Sequence, residues 1–219
     1  CRKAVSISTP MAFERVVMCG AQVFSTAIVA PLGTIAIAAN SFGITIESLC
    51  YMPGYGVAEA ATTLTGQTLG AKRMDLTRSF TNIVIGMGIG VMTFMGFRMD
   101  TFAPERMTIV TPHQDIIALG TQVLRIEAFA EPMFAASIVA YSIFVGAGKT
   151  VISSTTNFTC IWLVRLSLAW KLAPQYGLVG VWIAMAIELC ARGIVFLTHI
   201  YRWKWLPARP AASPIGANK

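Results

Sequence analysis

Apolar residues fall along this chain in long runs separated by short polar or charged stretches, and each run is near the length of a membrane-crossing helix. Rising 1.5 Å per residue, a helix needs about 20 apolar residues to cross about 30 Å of hydrocarbon. Windows of that kind, bounded by charge, Pro or Gly, predict six spans at 9–30, 34–65, 75–97, 112–145, 151–172 and 178–201. The second and fourth exceed what a crossing requires. They contain Pro53 and Pro132, each removing a backbone donor and freeing the carbonyl four residues earlier. Both are expected to kink or to continue beyond the bilayer. Thr9-Pro10 and Thr111-Pro112 each read as an N-cap hydroxyl followed by proline at the first helical position.

Composition strengthens this picture. Of 219 residues, 55% are hydrophobic and 12% charged, with a mean hydropathy of +0.65, whereas soluble domains carry about 25% charged residues. Only helices or closed barrels satisfy backbone polar groups in lipid, and these runs have helical length. The predicted fold class is therefore all-α, a polytopic membrane protein built as a six-helix bundle, with the bilayer as its first partner. A net charge of +7 would suggest nucleic acid in a soluble protein. Here the basic residues cluster at the ends of apolar runs, where they signal topology, so nucleic acid is not expected as a partner.

Six spans place Arg2, Lys3, Lys72, Arg73, Arg78, Lys149, Arg202, Lys204, Arg209 and Lys219 on one side, and Arg98, Arg106 and Lys171 on the other. The positive-inside rule then makes both ends cytoplasmic, in an inner (cytoplasmic) membrane. The stretch 98–114, with Asp100, Glu105 and His113 beside two arginines, is expected to be an ordered extracytoplasmic loop. The tail at 206–219, holding Pro207, Pro210, Pro214 and Gly216, is expected to be a disordered cytoplasmic end. Cys-Arg-Lys at the start shows no targeting pattern and suggests a truncated beginning. The five cysteines form no C-x-x-C pair and read as small packing residues, with neither zinc nor disulfides expected.

Several motifs recur in a fixed order. GYGVAEAATTLTGQTLGAK at 54–72 ends in a small-residue turn with Gly66, Gln67 and Gly70 before a basic loop. Pro10 with Glu14 opens the first run, and Glu131-Pro132 and FVGAGKT (144–150, with Gly146 and Gly148) bracket the fourth. WLVRL at 162–166, holding Trp162 and Arg165, lies in the fifth, and GLVGVW at 177–182, ending in Trp182, opens the last. In order and spacing, from about residue 4 to 201, this resembles the multidrug and toxic compound extrusion (MATE) family.

The resemblance implies two six-helix lobes related by a pseudo-twofold axis, each with one Gly-Gln turn. This chain, with one such turn and a polar tail, corresponds to the C-terminal lobe, and its partner would be the N-terminal six-helix lobe. It also implies a secondary antiporter that exports organic, often cationic, compounds in exchange for protons or sodium ions, with no other cofactor, by alternating access between the lobes. Flippases of lipid-linked sugars belong to the same superfamily. A small protein acting as a homodimer would also restore the twofold symmetry.

Charges inside a span cost about 2.5 to 3.5 kcal/mol, so each needs a partner, water or a function. The carboxylates concerned are Glu14, Glu47, Glu59, Glu127, Glu131 and Glu188. Glu188 and Arg192 are four apart on one helix face and read as a structural ion pair. Arg165, matching a basic position of the family, reads as structural, either pairing with a carboxylate of another helix or stabilising the lobe. The remaining acids are ion- or proton-coupling candidates. Glu14 points away from Arg15, and Glu47 and Glu59 project about 120° apart, so at most one of that pair faces a cavity. Glu127 and Glu131, four apart, cannot both be charged cheaply unless solvated or paired, which suits proton coupling or a solvated pair near the rim. At Phe134 the chain departs from cation-coupled relatives, which carry an aspartate there.

Other signals carry less. GAGKT at 146–150 lacks the glycine a phosphate loop needs at Ile143, and the sequon at Asn157 falls within a span. Gly86 and Gly90 form a G-x-x-x-G that suggests close helix packing. His113 and His199 are isolated, and no metal-ligand or catalytic constellation is present, so no enzyme is expected.

Overall fold

A computed structural model describes the backbone of residues 2–202 and the side chains of residues 16–202. The tail expected at 206–219 lies outside the described residues, as do the side chains of Pro10 and Glu14. The chain is a polytopic all-α membrane protein. In order it forms α1 (Arg2–Val29), a 3-10 turn (Ala30–Leu32), α2 (Thr34–Gly70), α3 (Met74–Thr101), α4 (Ala103–Val110), α5 (Gln114–Gly146), α6 (Thr150–Thr159), a π-helical segment (Cys160–Arg165) and α7 (Leu166–Tyr201). Among the described residues, four stretches are long and apolar enough to cross a bilayer: Thr34–Gly70, Met74–Thr101, Gln114–Gly146 and Thr150–Tyr201.

The last stretch, 52 residues, would extend roughly 78 Å as one helix, far more than a bilayer is thick. It folds instead at Gly177 (φ 60, ψ −138), a backbone conformation open to glycine and strained for any L side chain. Contacts across the fold keep a nearly constant sum of residue numbers. Arg192 meets Asn157, Arg165 meets Met185, and a Cβ on Gly180 would touch the Leu172 carbonyl. The arms therefore pair as an antiparallel helical hairpin.

The same logic orders the rest. Gly54 lies against Met92 and Gly88 against both Val57 and Val139, making α3 antiparallel to α2 and α5. Thr62 donates its hydroxyl to the Ser142 carbonyl, and a Cβ on Gly146 would lie 2.5 Å from the Thr62 carbonyl oxygen, so α2 and α5 run parallel. Met133 meets Gly193 and Phe144 meets Phe196, so the second arm of α7 runs parallel to α5. Only a glycine at 146 allows the backbones of α2 and α5 to approach this closely.

Both prolines sit inside unbroken helices, and the helices extend past a single crossing. Pro132 leaves the Ala128 carbonyl without its helical donor, and Gly96 of α3 packs directly on that oxygen. Two apolar cores result. One holds Trp182, Met99, Met107 and Leu124, and the other Phe144, Phe196, Ile143 and Ile200. Outward-facing positions are apolar as well, Phe129 at 82% and Phe97 at 69% exposed among them, as a lipid-facing surface requires.

Several expected helix ends move. Helix α1 is already formed at Arg2, so Thr9-Pro10 does not open it; proline is tolerated inside membrane helices because neighbours can serve the freed carbonyl. Helix α5 starts at Gln114 and not at Pro112. Thr111, preceding a proline, is extended (φ −146, ψ 143), and its hydroxyl accepts from the His113 N–H. The stretch expected as a loop at 98–114 contains α4, whose Met107 is buried over Gly120. The G-x-x-x-G of α3 does not serve packing within this chain, since Gly86 and Gly90 meet nothing within 4 Å; the contact glycines of that helix are Gly88 and Gly96.

Candidate functional site

Counted from one end of the bundle, the connections at 30–33 and 102–113 and the fold at Gly177, the buried charges share a depth. At 1.5 Å per residue Glu188, Arg165, Glu47, Glu127, Arg192 and Glu131 lie roughly 16 to 26 Å from it, near the middle of a bilayer. The parallel course of α2, α5 and the second arm of α7 brings them together. Glu47, Glu131, Glu188 and Arg165 are all within Coulombic reach of the Glu127 carboxylate, and Arg165 is within reach of Glu47.

Burial here is nearly complete: Glu127, Glu131 and Glu188 are 0% exposed and Glu47 is 4%. Both carboxylate oxygens of Glu127 and of Glu131 lack a hydrogen-bond partner among the described residues. An unpartnered carboxylate in such a place is costly in its charged form, so a proton or a bound cation would compensate it. Glu59 is exposed on the outer face of α2, apart from this group, so only Glu47 of that pair turns inward.

Both oxygens of Glu188, Arg192 Nε and Arg165 Nε also make no hydrogen bond among the described residues, but Glu188 and Arg192 form an ion pair and both arginines donate elsewhere. Arg192 Nε lies 3.3 Å from Glu188 Oε1 on the same helix, and its Nη1 donates to Asn157 Oδ1 at 3.1 Å. The guanidinium also lies over the Phe134 ring, 5.7 Å from its centroid. Phe134 in turn meets Tyr51 edge-to-face, and Tyr51 meets Tyr55. Arg165, the last residue of the π segment, donates from Nη2 to Met185 Sδ at 3.0 Å. Trp162, in the same segment, stacks on Phe158 and meets Phe24 edge-to-face.

Of the motif residues, Glu131 and Arg165 belong to this cluster, whereas the turn glycines and Trp182 lie at helix crossings and helix ends. Gly66 and Gly146 face each other where α2 crosses α5. The Gln67 carbonyl accepts from the Ala71 N–H, and Arg73 N–H reaches back to the Thr68 carbonyl, closing the end of α2 just past Gly70 with Lys72 at φ 56. Helix α5 ends in the same way, Lys149 N–H reaching the Phe144 carbonyl with Gly148 at φ 71. Trp182 donates from Nε1 to Asn40 Oδ1 at 3.0 Å, tying α7 to α2.

A family model described as MatE matches residues 10–171, about three quarters of the chain. The chain belongs to the MATE family. It is 25% identical over 215 residues to a probable multidrug resistance protein NorM of Thermotoga maritima, covering 93% of this chain and 44% of the relative. It is 24% identical over 193 residues to the multidrug resistance protein MdtK of Yersinia enterocolitica, covering 84% and 41%. The fold matches that of the Vibrio cholerae MATE transporter VcmN in its bent form with a TM-score of 0.84 at 19% identity, over 90% of this chain and 45% of that one. The chain thus spans less than half the length of these relatives.

Two residues beside these charges were not legible as such in the sequence. Asn157 stood out only as a sequon inside a span, although a lone amide within a membrane helix signals a polar partner. Tyr51 carried no signal at all, because an aromatic residue in an apolar run is ordinarily packing.

Proposed function

We propose that this chain is the C-terminal half of a MATE efflux transporter that exports organic compounds in exchange for protons or sodium ions, by alternating access. The observation that carries this reading is the set of unpartnered carboxylates of Glu127 and Glu131 near mid-membrane, beside Glu47 and Arg165. Ionisable groups at such depth mark ion paths. Six crossings follow if α1 and each arm of the hairpin cross once, with both ends on the cytoplasmic side of an inner membrane. The N-terminal lobe supplies the other wall of the substrate path, and rocking of the two lobes exposes that path to each side in turn. Glu127 and Glu131 carry the coupling ion, Glu47 and Arg165 modulate them electrostatically, and Glu14 on α1 is a further candidate.

Ethidium retention in cells tests this. Cells expressing the chain together with an N-terminal MATE lobe are expected to lose the dye faster than empty cells, and Glu127→Gln or Glu131→Gln to slow that loss at least tenfold. Undiminished efflux in both variants would remove these acids from the mechanism. Efflux by this chain alone would point to a homodimer.

A further inference from the structure

Arg192 occupies a position with the attributes of a cation site. A fully buried carboxylate, Glu188, lies 3.3 Å from its Nε, the amide oxygen of Asn157 is 3.1 Å from its Nη1, and the Phe134 ring faces its Cζ at 5.7 Å. Three elements, α5, α6 and α7, contribute one partner each, all of them groups that favour positive charge. We propose that Arg192 is a tethered cation filling the place that a free metal cation would otherwise take beside Glu188, so that transport by this protein does not require sodium. This rests on the antiporter reading and decides between its two coupling ions.

Two arginines, Arg165 and Arg192, are permanently charged and sit among four buried carboxylates. With Glu188 matched by Arg192 and one further acid by Arg165, the charges still uncompensated are carboxylates, and a proton satisfies each without needing a shell of oxygen ligands. A sodium ion at Glu188 would have to displace a covalently held guanidinium, whose effective concentration at the site is far above that of any free ion.

The test uses the whole transporter, this chain with its N-terminal lobe, purified in detergent and also reconstituted in liposomes. Wild-type melting temperature is expected to be equal in sodium chloride and choline chloride at the same ionic strength. Arg192→Ala is expected to melt lower and to be raised, on the order of 5 °C, by guanidinium or sodium chloride relative to choline chloride. Glu188→Gln/Arg192→Ala should have lost that response, and Arg192→Lys should stay indifferent to sodium. Sodium-specific stabilisation of the wild type or of Arg192→Lys would overturn the proposal. So would a response in the double variant, or none in Arg192→Ala; if Arg192→Ala does not fold, the other three proteins still decide. Ethidium efflux is read separately in the liposomes. Sodium-indifferent melting without efflux would leave the tethered cation standing and sink the export reading, and the opposite pair of results would do the reverse.

Discussion

Gly146 and Gly66 belong to different motifs of the MATE resemblance and face each other at one helix crossing, yet they should respond oppositely to the same substitution. In Gly146→Ala the new Cβ would lie 2.5 Å from the Thr62 carbonyl oxygen and 3.1 Å from that residue's carbonyl carbon and Cα. Ordinary contact begins near 3.4 Å, so α2 and α5 must separate by 0.9 Å, the difference of the two distances. Backbone atoms cannot swing aside, and overpacking of this kind costs about 1 to 3 kcal/mol. A gain in helix propensity of up to about 1 kcal/mol offsets part of it. In Gly66→Ala the nearest atom, the Gly146 carbonyl oxygen, is 3.6 Å away, within ordinary contact, so only the propensity gain remains. The pair should therefore differ by about 1 to 3 kcal/mol, or roughly 2 to 12 °C in melting temperature for a chain of this size. Thermal melts of the purified transporter followed by tryptophan fluorescence give the comparison. Equal melting of the two variants, or a more stable Gly146→Ala, would refute the close-crossing argument.

Other substitutions probe separate parts of the structure. Gly177→Ala forces a Cβ onto φ 60, ψ −138 and should cost about 1 to 3 kcal/mol in the same melts, whereas Gly86→Ala, with open space around it, should cost nothing measurable. Lys72 holds a left-handed conformation that favours glycine, so Lys72→Gly should raise stability by about 1 kcal/mol, and a loss of similar size would contradict the reading of that helix end. Trp182→Phe leaves Asn40 Oδ1 without its donor and should cost about 1 to 3 kcal/mol, most of it recovered in Asn40→Leu/Trp182→Phe, as a double-variant melt would show.

The hydrophobic pattern located the helices because bilayer thickness fixes the length of each apolar run, and the expected start of α2 at 34 and that of α3 near 75 differ from the observed ones by a residue at most. Proline-based starts were less legible. Proline marks a helix beginning in water, but a packed bundle can carry a helix through one, as α5 runs on past Pro132 with Gly96 of α3 packed against the Ala128 carbonyl. The π-helical segment left no trace in the pattern, since one extra residue per turn does not alter composition. For the site, spacing alone set Glu188 beside Arg192, because four residues make one helical turn. The meeting of Glu47 with Glu127 could not be read that way: it depends on the parallel course of α2 and α5, which the close contact at Gly146 sets.

Proton movement can be followed in liposomes holding the chain with its N-terminal lobe, with a pH-sensitive dye inside. After ethidium is added to vesicles with a pre-set pH gradient, the gradient is expected to collapse faster than in protein-free vesicles, with no sodium present. Glu127→Gln/Glu131→Gln is expected to abolish the effect. A gradient untouched by ethidium, or collapsed equally by the double variant, would contradict proton-coupled export through these two carboxylates.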